Sequence, residues 1–141
     1  MIFTCVEPEA ETINQSPNVS ISSGPQGSIE TTSCTFNWTG SDPDGSIVMY
    51  YYGLDANPPT QMQQNTSKSF TSLTEGSHTF YLQAEDNDGG KSQIVTWQFS
   101  VDINNPPTAP TLNQIENTDG DGVFSLTWGV STDPDGSIQS Y

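Results

Sequence analysis

At 141 residues the chain has room for one domain and part of another, and although only 31% of it is hydrophobic, six Phe, five Tyr and three Trp can fill a thin core. Seventeen acidic residues against two basic ones leave a net charge of −15, which works against nucleic acid and anionic membranes as partners and favours cations. No stretch reaches the roughly 20 apolar residues of a membrane span, and two cysteines are too few for a disulfide framework.

Residues 1–16 read as an arm, β-prone in MIFTCV, acidic in EPEAET and polar up to Pro17. It is either a leader without structure of its own or a strand that pairs with another subunit's open edge. Its opening MIFTC is too short for a secretory signal and makes an imperfect lipobox around Cys5. From Pro17 onward, short alternating runs separated by turn signals predict an all-β sandwich. Strand A is NVSIS (18–22), broken by GPQGS, and strand B is TTSCTFNW (31–38), with Cys34, Phe36 and Trp38 on one face. Strand C, IVMYYYGL (47–54), ends in the turn DANPPTQ and is followed by strand E, SKSFTSL (67–73). Strand F (78–86) places His78, Phe80, Leu82 and Ala84 in one phase, and strand G (94–102) does the same with Val95, Trp97, Phe99 and Val101. Cys34 is either an unpaired small hydrophobe in the core or the partner of Cys5. No helical period of useful length occurs.

One heptapeptide comes twice. SDPDGSI at Ser41–Ile47 returns as TDPDGSI at Thr132–Ile138, each copy following a tryptophan that ends an alternating run and each leading to a tyrosine, Tyr50 or Tyr141. Trp38 and Trp128 are 90 residues apart, as are Pro17 and Pro107. The chain therefore reads as a tandem of β-domains: an N-terminal arm (1–16), a sandwich (17–104), and the start of a second, similar domain (105–141). The second repeat supplies strand A (Ala109–Ile115), strand B (Val123–Trp128) and the beginning of strand C. Three strands cannot bury Phe124, Leu126, Trp128 and Ile138, so either the polypeptide continues or a neighbouring copy donates strands, which would make it a filament subunit.

These landmarks resemble a fibronectin type III or related immunoglobulin-like domain of microbial surface proteins. Trp38 matches the strand B tryptophan, Tyr50 and Tyr52 the strand C tyrosines, and the run from Leu73 through Gly76, Phe80 and Ala84 to Asp86 is similar to the E–F corner and strand F. The chain departs at His78, where such domains often carry the corner tyrosine. A second, overlapping resemblance is to cadherin-type repeats, carried by AEDNDGG, VDINNPP and DPDG; the linker's second Asp and the Asp-Arg-Glu motif have no counterpart here. What these resemblances imply is a tandem of immunoglobulin-like (fibronectin type III-like) β-sandwiches, the second incomplete, with calcium at the domain ends.

In a sandwich of this type the B–C and F–G loops share one end, which brings Asp42 and Asp44 near Asp86, Asn87 and Asp88. Calcium takes six to eight oxygens, and carboxylates with backbone carbonyls on two short loops supply most of them. At the domain junction, Asp102, Asn104 and Asn105 are expected to face Asp133 and Asp135, where an ion would stiffen the joint. The competing reading is that Asp-Pro-Asp-Gly and Asn-Asp-Gly-Gly are turns and nothing more. Enzymatic readings have little support: His78, the sole histidine, lies on an inward phase, Cys34 has no activating partner in view, and no Gly-rich phosphate loop leads into a helix. Tyr51, Trp97 and Tyr81 form a sugar-binding strip if they face outward, and pack into the core or across strands otherwise. Four Asn-x-Ser/Thr triplets, at Asn14, Asn18, Asn37 and Asn65, permit glycosylation.

The function expected is that of an extracellular, cell-surface structural or adhesive protein without catalytic activity: a stalk, adhesin or filament component, calcium-stiffened and assembled from neighbouring copies or further domains. The alternative is a carbohydrate-binding or spacer module of a larger secreted hydrolase, with surface glycans as partners.

Overall fold

Strict alternation between core and solvent side chains makes these segments strands, because successive residues of an extended chain point to opposite faces. The computed structural model describes residues 13–116 and 120–138, in two compact units that divide after Asp102. The first unit contains β1 (Asn18–Ser23), β2 (Ser28–Ile29), β3 (Cys34–Ser41), β4 (Ile47–Leu54), β5 (Gln61–Gln63), β6 (Ser67–Phe70), β7 (Gly76–Asp86) and β8 (Val95–Val101). One sheet has the order β1-β3-β6 and the other β2-β8-β7-β4-β5. All neighbours are antiparallel except β2 and β8. This is an all-β, immunoglobulin-like sandwich.

The expected strands A, B, C, E, F and G correspond to β1, β3, β4, β6, β7 and β8. Strand B starts at Cys34 rather than at residue 31, and strand E ends at Phe70, with Leu73 buried in the following loop. The short strands β2 and β5 begin at the last residue of segments that read as breaks, GPQGS and DANPPTQ, and are not expected from the sequence because two or three residues are too few to display a period. β2 matters to the architecture, since its parallel pairing with β8 carries the first edge of the chain from one sheet across to the other.

The core lies between the sheets, and its residues are those in the inward phases: Phe36 and Trp38 from β3, Tyr50 and Tyr52 from β4, Phe80, Leu82 and Ala84 from β7, and Phe99 and Val101 from β8. Phe36 stacks on Phe80 across the gap at 4.1 Å between ring centroids, while Phe70 and Phe99 meet Phe36 edge-on. Trp38 packs against Tyr50 at 5.9 Å and Tyr52 at 6.5 Å. Cys34, expected to be buried, is half-buried and free. Cys5 and most of the N-terminal arm lie outside the described residues.

In the second unit, β9 (Leu112–Glu116) pairs antiparallel with β10 (Ser125–Trp128). Leu112 stands opposite Trp128 in this pair, as Ile21 stands opposite Trp38 in the first unit. β9 begins three residues later than expected and β10 two residues later. Leu112, Ile115, Phe124, Leu126 and Trp128 are each more than half exposed, which is the outcome expected of two strands with no covering sheet. The start of the expected strand C falls mainly on residues 139–141, outside those described.

Phe80 has no exposed surface and touches Phe36, Trp38 and Phe70. Phe80→Ala is therefore expected to cost about 3–5 kcal/mol, the usual penalty for an emptied aromatic site. Urea unfolding would measure it; a loss under about 1 kcal/mol would mean that the two sheets close over the gap.

Candidate functional site

The B–C and F–G loops do meet at one end of the first sandwich, clasped by a reciprocal pair of hydrogen bonds. The Ser46 amide donates to Asn87 Oδ1 at 2.7 Å, and the Asn87 amide donates to the Ser46 carbonyl at 3.0 Å. The approach is so close that a methyl group at Gly45 would collide with Asn87 Oδ1 and Asp42 Oδ2.

Asp86, at the end of β7, anchors this arrangement. It is 1% exposed and accepts from Asn14 Nδ2 at 3.1 Å, the Asp88 amide at 2.9 Å and the Gly90 amide at 2.8 Å. Burial by itself would push its pKa up, but the Asn14 amide group and the loop amides outweigh that and hold it below the ordinary value. Asp44 accepts the Gln15 amide at 3.0 Å. Asp42 is the exception. Both of its carboxylate oxygens are buried and neither meets a donor among the described residues. Burial raises its pKa, and the charges of Asp86 and Asp44 raise it further, with the nearby Asp44 amide offsetting only part. Asp88 accepts Asn87 Nδ2 at 3.0 Å. The structure thus brings Asp44 and Asp86 within electrostatic reach of Asp42. Among the described residues, however, no three acidic, histidine or cysteine side chains converge closely enough to hold an ion on their own.

The second unit repeats the local pattern. Asp135 accepts the Asn105 amide at 2.7 Å and Asn105 Nδ2 at 2.9 Å, which lowers its pKa. Asp133 Oδ1 is buried without a donor among the described residues, and its Oδ2 lies against Gly136. Asp102 is the last residue of the first unit, its amide donating to the Ile29 carbonyl at 3.0 Å, whereas Asn104 belongs to the second. Asn14, Gln15 and the clamping role of Asn105 were not legible as site features in the sequence. The available signal was positional, since Gln15 and Asn105 each stand two residues before the proline that opens their repeat.

His78 fills the corner left by the missing tyrosine. Its Nε2 donates to the carbonyl of Thr74, four residues upstream, at 2.8 Å, and its Nδ1 meets Asp55 Oδ2 at 2.7 Å. The ring stacks on Phe99 at 5.3 Å between centroids, and Asp55 Oδ1 accepts the Thr79 amide. Because both ring nitrogens face acceptors, only the imidazolium satisfies both bonds. Burial pushes the Cys34 thiol up, away from thiolate chemistry.

The expected aromatic strip is reduced to two residues. Trp97 shares the inward phase of Phe99 and its Nε1 donates to the Pro25 carbonyl at 2.6 Å, so packing rather than exposure decides its place. Tyr51 and Tyr81 lie on the outer face, where Tyr51 donates to Glu85 at 2.6 Å and carries Lys91 Nζ 4.1 Å above its ring. An open cleft of about 460 Å³ at the other end of β7 is lined by Ser28, Ser77, Thr79, Gln98 and Ser100 with His78.

No protein-family model matches the chain, and no curated protein sequence matches it. Solved structures do resemble it. A structure of fibronectin(III)-like modules of Clostridium thermocellum CbhA aligns at TM-score 0.54 and 19% identity over 66% of this chain and 50% of that one. A structure of carbohydrate-binding modules from the β-sandwich superfamily aligns at TM-score 0.55 and 20% identity over 65% of this chain and 36% of that one. The PKD1 domain of Vibrio anguillarum Epp aligns at TM-score 0.48 and 22% identity over 64% of this chain and all of that one. The chain spans half or less of the first two structures. Their likeness establishes the immunoglobulin-like sandwich fold.

The Thr74 carbonyl first, and Asp55 after it, raise the pKa of His78 above its ordinary 6.5, burial opposing them only in part. A raised folded-state pKa contributes stability that is complete below about pH 6.5 and is lost as pH climbs through the folded value. Wild-type stability to urea is expected to fall above neutrality, and His78→Gln to flatten that fall. Equal slopes in the two proteins would show that the corner does not depend on the imidazolium.

Proposed function

We propose that the chain is a stretch of an exported, non-catalytic array of immunoglobulin-like sandwiches that serves as a stalk, adhesin or filament component at a cell surface. The observation that carries this reading is a clamp found in both units. In each, the second Asp of the Asp-Pro-Asp-Gly loop takes the main-chain amide two residues before the opening proline, Gln15 by Asp44 and Asn105 by Asp135. The segment it holds in the second unit, Asn-Asn-Pro-Pro, would otherwise be a loose connection. A fixed path of entry into every repeat is what a mechanical spacer requires. The exposed apolar side chains of β9 and β10 support completion by strands from further domains or neighbouring copies.

Calcium belongs to this reading as the ligand of Asp42 with Asp44, and of Asp133 with Asp135. The buried carboxylate oxygens of Asp42, without donors among the described residues and repelled by Asp44 and Asp86, have the chemistry a hard cation satisfies. Main-chain carbonyls would have to complete the shell. The second reading, a carbohydrate-binding or spacer module of a larger secreted hydrolase, is supported by Tyr51 and Tyr81 on one outer face and by a fold shared with carbohydrate-binding modules.

Asp135→Ala is expected to increase fast backbone motion at residues 103–105, read by amide relaxation on the intact chain, with the first sandwich unchanged. Unchanged order parameters would remove the clamp as the basis of the spacer role, and retention on an insoluble polysaccharide would then favour the binding module. Calcium is expected to raise the melting temperature of the wild-type chain and to leave the double variant Asp42→Asn, Asp133→Asn unmoved. If neither a shift nor a heat of binding is seen with the wild type, the aspartate loops are turns only.

A further inference from the structure

In a chain with 17 acidic residues, the outer face of the β1-β3-β6 sheet carries none. Its outward positions are Ser, Thr and Asn, with Ser20 opposite Thr39, Asn37 opposite Ser67, and Thr35 opposite Ser69. Two of the four Asn-x-Ser/Thr triplets run along this face. The strand period of two puts the Asn and the hydroxyl residue of a triplet on the same side and its middle residue in the core. Asn18 and Ser20 therefore flank inward Val19, and Asn37 and Thr39 flank Trp38, which is 2% exposed. A third triplet begins at Asn65, in the exposed bend just before β6. Asn18 and Asn65 make no side-chain hydrogen bond among the described residues, and Asn37 makes one, to exposed Ser23 Oγ at 2.9 Å. Asn14, which opens the fourth triplet, is different: its Nδ2 is committed to buried Asp86 and lies so close to Gly90 that a methyl group there would collide with it.

We propose that Asn18, Asn37 and Asn65 are N-glycan acceptors and that the three-stranded face is the glycan-bearing side of the domain. The donor is an oligosaccharide linked through phosphate or pyrophosphate to a lipid. Asparagine Nδ2 forms a bond to the anomeric carbon, the bond from that carbon to the phosphate oxygen breaks with its electron pair leaving on the phosphate, and one amide proton passes to a base. Transfer precedes packing of the strands, and the fold decides which products remain native. Glycans at residues 18, 37 and 65 project into solvent from exposed positions, at the cost of at most the Asn37 bond to exposed Ser23, while a glycan at residue 14 would disturb the donor that keeps Asp86 charged in its buried position.

This assignment rests on the exported reading, so the test separates the two. The full chain would be secreted from a eukaryotic host behind a removable signal, its folding checked by near-ultraviolet circular dichroism. Occupied sites would then be found by peptide mass spectrometry after enzymatic deglycosylation in heavy-oxygen water. Glycan at two or more of Asn18, Asn37 and Asn65, with Asn14 bare in the folded fraction, is the expected result. Folded, secreted protein with fewer than two of these sites occupied, or with Asn14 occupied, overturns the acceptor assignment and leaves export standing. A chain that cannot fold in that compartment counts against export and takes the acceptor assignment with it. Asn65→Gln and Thr39→Ala should each remove one glycan from the mobility pattern without lowering the melting temperature.

Discussion

The stack of Phe36 on Phe80 is the contact on which the first sandwich depends, because it is made between the central strand of one sheet and a central strand of the other. Two sheets joined only by loops have no fixed separation. Aromatic rings meeting face to face across the gap set that separation, and the edge-on contacts of Phe70 with Phe80 and of Phe99 with Phe36, which also cross it, set their relative rotation. Everything at the loop end inherits its position from this packing. The B–C loop leaves β3 five residues beyond Phe36, and the F–G turn leaves β7 six residues beyond Phe80.

At that end, electrostatics takes over from packing. A buried carboxylate such as Asp86 is tolerable only where donors replace the water it has lost, and it collects three, one of them from the segment that leads into β1. Asp44 binds the same entry segment through Gln15. Two carboxylates thus fasten the start of the domain to its loop end, and Asp135 does the equivalent with Asn105 in the second unit. Both oxygens of Asp42 and the Oδ1 of Asp133 are buried in the same loop motif without a donor among the described residues, and this difference separates a structural carboxylate from one with unused coordinating capacity. At the opposite end of β7, His78 ties the corner to Asp55 by a charge-assisted pair, at a corner where immunoglobulin-like sandwiches often place a tyrosine hydroxyl.

The two sheets of the first unit present different surfaces. The five-stranded sheet shows aromatic, acidic and basic side chains on its outer face, including the Tyr51, Glu85 and Lys91 cluster, whereas the three-stranded sheet shows only small hydroxyl and amide groups. The first sandwich thus has a side without charge and a side that carries charged and aromatic groups. The second unit presents a third kind of surface, the exposed apolar side chains of β9 and β10, among which Leu126 and Trp128 have as equivalents in the first unit the buried Phe36 and Trp38.

By itself the sequence determined the strand alternation, the core set and the repeat, since each depends on local order along the chain: a period of two, a tryptophan ending a run and returning after 90 residues, a heptapeptide returning after 91. It also determined that the B–C and F–G loops would share one end, because the topology of such a sandwich brings both there. The phase of Trp97 could be read, but not that Pro25 would accept its indole N–H. Tertiary structure alone decided which carboxylates are saturated and which are bare. That outcome depends on main-chain amides, at Gln15, Asp88, Gly90 and Asn105, and a backbone amide is the same group at every position. It equally decided that His78 would take the corner and that β2 and β5 would exist, since a single ring between two acceptors and a strand of two or three residues leave no periodic trace in the chain.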